Sequence, residues 1–147
     1  MDVSTSSIVQ LFLVNNGIFS SPASGIEWPA YLSYFPDPEN DFSDTAAIFD
    51  MSPSLDGRWM VDGSLMQHRG VLVRIRSSDY ITGWQKAMDL FQLLAQSTKE
   101  DLSKDGSTYR IDTFAMPSGI IYLGIDDGTK RRYNFEISYL VAIRQTA

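Results

Sequence analysis

The sequence predicts an α+β fold, in which a mostly antiparallel or mixed sheet carries two helices packed on one face. Three observations predict it. From Gly70 to Gln96, GVLVRIRSSDYITGWQKAMDLFQLLAQ, a two-residue apolar period breaks at Ser77–Asp79 and gives way to a helical one. From Tyr133 to Ile143 large apolar residues hold every odd position, which is the mark of a strand with one buried face. Ser4 to Asn15 reads as a second helical stretch, opened by a hydroxyl cap and stopped at Asn16-Gly17. Elements with one apolar face each bury it by packing in layers, here helices on a sheet.

Taken in order, the first helix is capped by Ser4 or Thr5 and turns Ile8, Leu11, Phe12 and Val14 inward, with Thr5, Ser6 and Ser7 in solvent. Pro22 to Pro29 is a loop. Tyr31, Ser33 and Phe35 then oppose Leu32 and Tyr34 in a short strand that Pro36-Asp37-Pro38 ends. Asp37, Glu39, Asp41 and Asp44 make the following segment an acidic surface, and Ala46 to Phe49 is the next strand. Met51 to Arg69 has no clean period and contains Pro53, Gly57 and Gly63, so it is either a long irregular loop at about 51–69 or a pair of short irregular strands. Its Leu55, Trp59, Met60, Val61, Leu65 and Met66 are too apolar for a free linker, so part of it should be buried in a partner.

In the central strand Val71, Val73 and Ile75 share one face, while Leu72, Arg74 and Arg76 share the other. The helix that follows is capped by Ser78 or Asp79. Its apolar stripe runs Ile81, Trp84, Met88, Phe91 and Ala95, widened by Ala87, Leu90 and Leu94. Ser97 to Gly106 is a polar connection, after which a three-strand meander closes the chain: a strand through Tyr109–Thr113, one through Ile120–Ile125, a hairpin turn at Asp126-Asp127-Gly128, and the final strand.

The 147 residues, 44% hydrophobic and 12% aromatic, suit a single domain over 1–147 with a packed core. With no cysteine and one histidine, disulfides, thiol nucleophiles and Cys or His metal clusters drop out, and no cofactor is expected. A net charge of −6 argues against gripping phosphate backbones, which needs clustered Lys and Arg. The N-terminus lacks the positive region and cleavage site of a signal peptide, and no apolar run reaches the ~20 residues of a membrane span. A soluble intracellular protein is expected.

Catalytic readings are weak. His68, between Gln67 and Arg69, is more simply a solvated loop residue. Asp126 and Asp127 before glycine are turn chemistry before they are an acid pair. No serine lies in a G-x-S-x-G or S-x-x-K pattern, and GIDDGTK lacks the phosphate-loop spacing. Lys130, Arg131 and Arg132 form the one basic cluster. Either they are a solvated hairpin tip, or they meet the acidic segment of a neighbouring subunit and help set its register. Arg74 and Arg76 carry the same two readings, covering the sheet with their stems or bridging subunits.

The unit RGVLVRIRSSDYITGWQKAMDLFQLL, with an N-terminal helix before it and an apolar strand closing the chain, resembles the tail terminator and minor capsid proteins of long-tailed bacteriophages. The resemblance implies a non-enzymatic virion protein with no catalytic residues. It implies a ring, typically of six subunits, that caps the tail tube, halts its polymerisation, joins the filled head and leaves a pore for DNA. Its implied partners are other copies of itself, the tail tube protein and head–tail connector proteins. By that resemblance the 51–69 stretch, including Trp59, Met60, Leu65 and Met66, and the tip Lys130, Arg131 and Arg132 are placed like loops that meet tube or neighbour, while Arg74 and Arg76 join them at the interface only on the subunit-bridging reading given above. A head-completion adaptor between portal and tail, or a small α+β ligand-binding domain, are the alternatives.

Overall fold

Two long strands form the spine of the molecule, because they carry the cleanest two-residue alternation in the chain. The computed structural model describes residues 4–22, 27–34, 44–51, 54–59, 65–96, 100–115, 119–126 and 131–146, with the backbone alone for 54–59, 65–69, 112–115 and 144–146. Strands β4 (Leu65–Ser77) and β8 (Tyr133–Thr146) pair antiparallel from Leu65↔Gln145 to Ser77↔Tyr133. The register sets Val71, Val73 and Ile75 opposite Tyr139, Ile137 and Phe135, and all six are buried on one face. The free edge of β4 takes β2 (Thr45–Asp50) along 71–76 and β3 (Ser54–Trp59) along 65–68. The free edge of β8 takes β7 (Ile121–Ile125) and, further along, β6 (Ser107–Ala115). With β1 (Ala30–Leu32) parallel to β2, and β5 (Glu100–Lys104) antiparallel to β6, the eight strands make one mixed sheet.

Helices α1 (Thr5–Asn15) and α2 (Tyr80–Ala95) pack into a single core with the odd-numbered residues of β4 and β8, as the α+β reading expects. The inward face of α1 is Ile8, Val9, Phe12 and Leu13, while Val14 is only partly covered. Its first turn is buried, against expectation. The Ser6 N–H and hydroxyl both donate to the Asp50 carboxylate, at 2.8 and 2.7 Å, so the polar turn is satisfied where it docks on the end of β2. Ser4 is the cap, and Gly17 with φ +76° supplies the left-handed residue after the helix.

Four further expectations change. Strand β1 stops at Leu32, because Ser33 turns to φ +65° after its N–H donates to the Ile48 carbonyl. For 51–69, left open between a long irregular loop and a pair of short irregular strands, the strands hold: 54–59 pairs antiparallel with 65–68 of β4 in a register that shifts between Ser54 and Arg58, so the long loop gives way. The polar connection contains β5, hairpinned to β6 through Asp105 (φ +51°) and Gly106 (φ +80°), the two positive angles of a type I′ turn. The expected meander is not one either. At 14 residues β8 is roughly 45 Å long, enough to pair β7 and β6 side by side along the same edge.

The stripe of α2 is rotated from the expected one. Gly83, Ala87, Leu90 and Leu94 are its buried line, and Ile81, Trp84, Met88 and Phe91 flank it, with Ile81 and Trp84 exposed. Gly83 explains the rotation: a Cβ there would stand 2.6 Å from the Phe135 ring, so the helix crosses β8 at its glycine. On the far side of α2, the Lys86 ammonium donates to the Ile18 carbonyl at 2.7 Å and lies over the Trp28 ring at 5.2 Å. Burial lowers its pKa, partly opposed by Asp89 and Asp44.

Candidate assembly surface

The corner where β4 becomes α2 is fixed by three short side chains. The Ser77 hydroxyl donates to Asp44 Oδ1 at 2.6 Å and accepts from the Asp79 N–H at 3.2 Å, and Asp44 also accepts from the Ser78 N–H. Asp79 then caps α2 by accepting from both the N–H and the hydroxyl of Thr82. Asp44 is therefore a clamp on this corner. The rest of the expected acidic segment, Asp37, Glu39 and Asp41, lies outside the described residues.

The clamp holds Tyr80, the first residue of α2, over the end of the sheet. Its ring meets Tyr122 edge-on at 5.3 Å between centroids, and also Phe135 at 5.4 Å and Tyr133 at 5.9 Å. Trp84 lies one turn on, 6.2 Å from Phe135. Only Phe135 is buried; Tyr80, Trp84 and Tyr122 each show about two fifths of their surface. Beside them an open apolar cleft of about 190 Å³ runs between Trp84, Met88 and Phe91 on the helix and Gly119 and Ile120 before β7. The outer strand β7 gives Tyr122 to this face; it also exposes Ile121, which the register sets opposite Glu136 on the other face of the sheet, and Leu123 and Ile125, which line the cleft on that other face.

The opposite face of the same sheet region is polar. Arg74 reaches its cross-strand neighbour Glu136 at 3.5 Å and lies 5.9 Å from the Phe49 ring, and Arg76 lies 3.9 Å from Asp126. A cleft of about 250 Å³ opens between these arginines and Leu123–Asp126. Asp126 is a structural turn residue: its N–H donates to the Arg132 carbonyl at 2.9 Å, and its carboxylate accepts from Asn134 at 2.8 Å. Of the basic cluster, only Arg131 and Arg132 can be placed. Arg132 is 2% exposed, Arg131 is exposed, and Lys130, with Asp127 and Gly128, lies outside the described residues. Met60 also lies outside them, and for Trp59, Leu65, Met66 and His68 only the backbone is described, with Ser54 opposite His68 in the β3–β4 ladder.

Among the described residues no group of three His, Cys, Asp or Glu side chains could hold a metal ion, and no helix is long and apolar enough to cross a membrane. What this end of the molecule offers is contact area, apolar on one face and ion-paired on the other. Sequence reasoning assigned Ile81 and Trp84 to the core and gave β7 no special role. The available signals were the apolar width of α2, greater than one buried face needs, and the run IIYLGI, which has no polar alternation for a strand with one covered face. No curated protein matches this chain. A family model described as bacteriophage tail terminator protein matches residues 12–143, from the last turn of α1 into β8. By that match the chain belongs to the bacteriophage tail terminator family, whose members are structural components of the virion tail.

Proposed function

We propose that this chain forms a closed ring, of six copies, at the head-proximal end of the tail tube. There it stops tube polymerisation, presents the surface to which the filled head attaches, and leaves a pore through which DNA passes without specific binding. Family membership over residues 12–143 carries the reading. Two physical features support it. The net charge of −6 per copy would give such a pore a negative field that keeps the phosphate backbone from adhering. The exposed aromatic and aliphatic end of α2 and β7 is the kind of surface that an assembling subunit needs.

In this reading the protein acts without catalysis or cofactor and is made in the host cytoplasm. Its partners are further copies of itself, the tail tube protein and head–tail connector proteins. Trp59, Met60, Leu65, Met66, Arg74, Arg76, Lys130, Arg131 and Arg132 belong to contacts with tube or neighbouring subunit. Electron microscopy of particles made without this protein tests the role. Tubes of uncontrolled length lacking heads are expected. Tubes of normal length that fail only to join heads would move the protein to the adaptor position, and normal virions would end the proposal.

A further inference from the structure

A sheet must protect its edges from stray pairing, and three edges of this one are treated in three ways. On β1, the Ala30 N–H donates to the Ser20 carbonyl at 3.0 Å and the Gln10 side chain donates to the Ala30 carbonyl at 2.6 Å, so the fold itself occupies the edge. On β5, Glu100, Asp101 and Lys104 place charges on three of five residues, which discourages a further strand. On β7 neither device is present among the described residues. Ile-Tyr-Leu-Gly-Ile has no charged side chain, and its four large side chains are each 42–46% exposed. A short, bare, apolar edge is a site for pairing. On the helix side the edge meets α2 through the Tyr80–Tyr122 ring contact, with the cleft between Trp84 and Ile120 beside it, and Ile81, next to Tyr80, is 63% exposed.

We propose that this β7–α2 surface is a subunit contact, and that what covers it is a second copy of this chain. The proposal rests on the ring reading above and names the surface that reading requires. Area is the first ground. Large side chains present about 150–250 Å² when fully accessible, so Tyr80, Ile81, Trp84 and Tyr122, 39–63% exposed, offer roughly 300–450 Å². That is about half of the ~800 Å² that each partner gives to a stable interface, and strand pairing along the β7 edge would add to it. Charge is the second. Copies that each carry −6 repel, and their approach costs least where neither presents a net charge. The helix side of the patch, Tyr80, Ile81, Trp84 and Tyr122, is uncharged, and on the other face, where Ile121 and Leu123 lie, Arg74 is paired with Glu136 and Arg76 with Asp126 within the subunit. A basic partner would be drawn instead to the acidic remainder of the surface.

Native mass spectrometry from low to high micromolar protein tests this, on the wild type, on Leu123→Lys and Ile81→Glu, and on Ser103→Lys as a control at the charged β5 edge. Far-UV circular dichroism establishes that each variant is folded. The expected result is an assembled wild type and control, with Leu123→Lys and Ile81→Glu needing at least tenfold more protein to assemble. A wild type that stops at a dimer, with both variants monomeric, would keep the surface and remove the ring. Folded variants that assemble as readily as the wild type would overturn the surface and leave the ring standing. A wild type that is monomeric at every concentration would overturn the second copy as occupant.

Discussion

Gly83 shows how one residue sets the seating of a helix. The hydrogen on its Cα lets α2 come down on Phe135, where a methyl group would stand 2.6 Å from ring carbon Cε2 and 3.0 Å from the Ser77 Cβ. Phe135 is fully buried beneath Tyr80, Trp84 and Tyr122, so its ring has little room to withdraw. Gly83→Ala gains about 1 kcal/mol of helix propensity but forces overpacking that costs about 1–3 kcal/mol. We expect a net loss of about 1 kcal/mol in the urea unfolding free energy, together with a change in near-UV circular dichroism from the displaced aromatic rings. A variant as stable as the wild type with an unchanged aromatic spectrum would mean that the close approach does not position the helix. Nothing in the local sequence distinguishes this glycine from an ordinary helix-weakening one. The contact that requires it lies 52 positions away, on β8.

At the scale of elements, what was legible followed period and punctuation. The strand-to-helix switch at Ser77–Asp79, the long alternation of β8 and the Asn16-Gly17 stop are local signals, and the chain obeys them. What escaped was set by distant partners. The same helical spacing fits the Ile81–Trp84–Met88 line as well as the Ala87–Leu90–Leu94 line, and only the approach at Gly83 decides which faces the core. The β5–β6 hairpin was announced by Asp105-Gly106, but its strand EDLSK is too polar to resemble a buried one. As an edge strand it buries only Leu102, so it needs no apolar alternation. Gly106, at φ +80° with open space around the position of a Cβ, is required by backbone conformation alone. Gly106→Ala should therefore destabilise by about 1 kcal/mol, from a left-handed residue that now has a side chain. Amide exchange should speed up first in β5 and the start of β6. Equal acceleration across β4 and β8 would show instead that the hairpin does not open on its own.

Across the whole molecule, β8 joins every layer, since β4, β6 and β7 pair with it and α2 packs on it, and Tyr139 sits near its middle with 1% of its surface exposed. Burial alone pushes the Tyr139 phenol far above its ordinary 10.0, because the phenolate would have to lose its hydration inside the core. The unfolded chain can ionise this group near pH 10 while the folded chain keeps it protonated. Above that pH the native state holds the extra proton, so stability falls as pH rises, by up to about 1.4 kcal/mol per pH unit, and below it the group has no such effect. The measurement is the urea midpoint and slope at pH 8 to 11 for the wild type and Tyr139→Phe. Other titrating groups are common to both chains and cancel in the difference. The wild type should lose stability relative to the phenylalanine variant only above about pH 10, whatever their offset at pH 8. Parallel curves throughout would mean that the phenol ionises as easily in the folded protein as in the unfolded one, and that the centre of β8 is wetter than its packing implies. Any assembly through the β7–α2 surface would be subject to the same alkaline limit, since β7 is held in place by its pairing with β8.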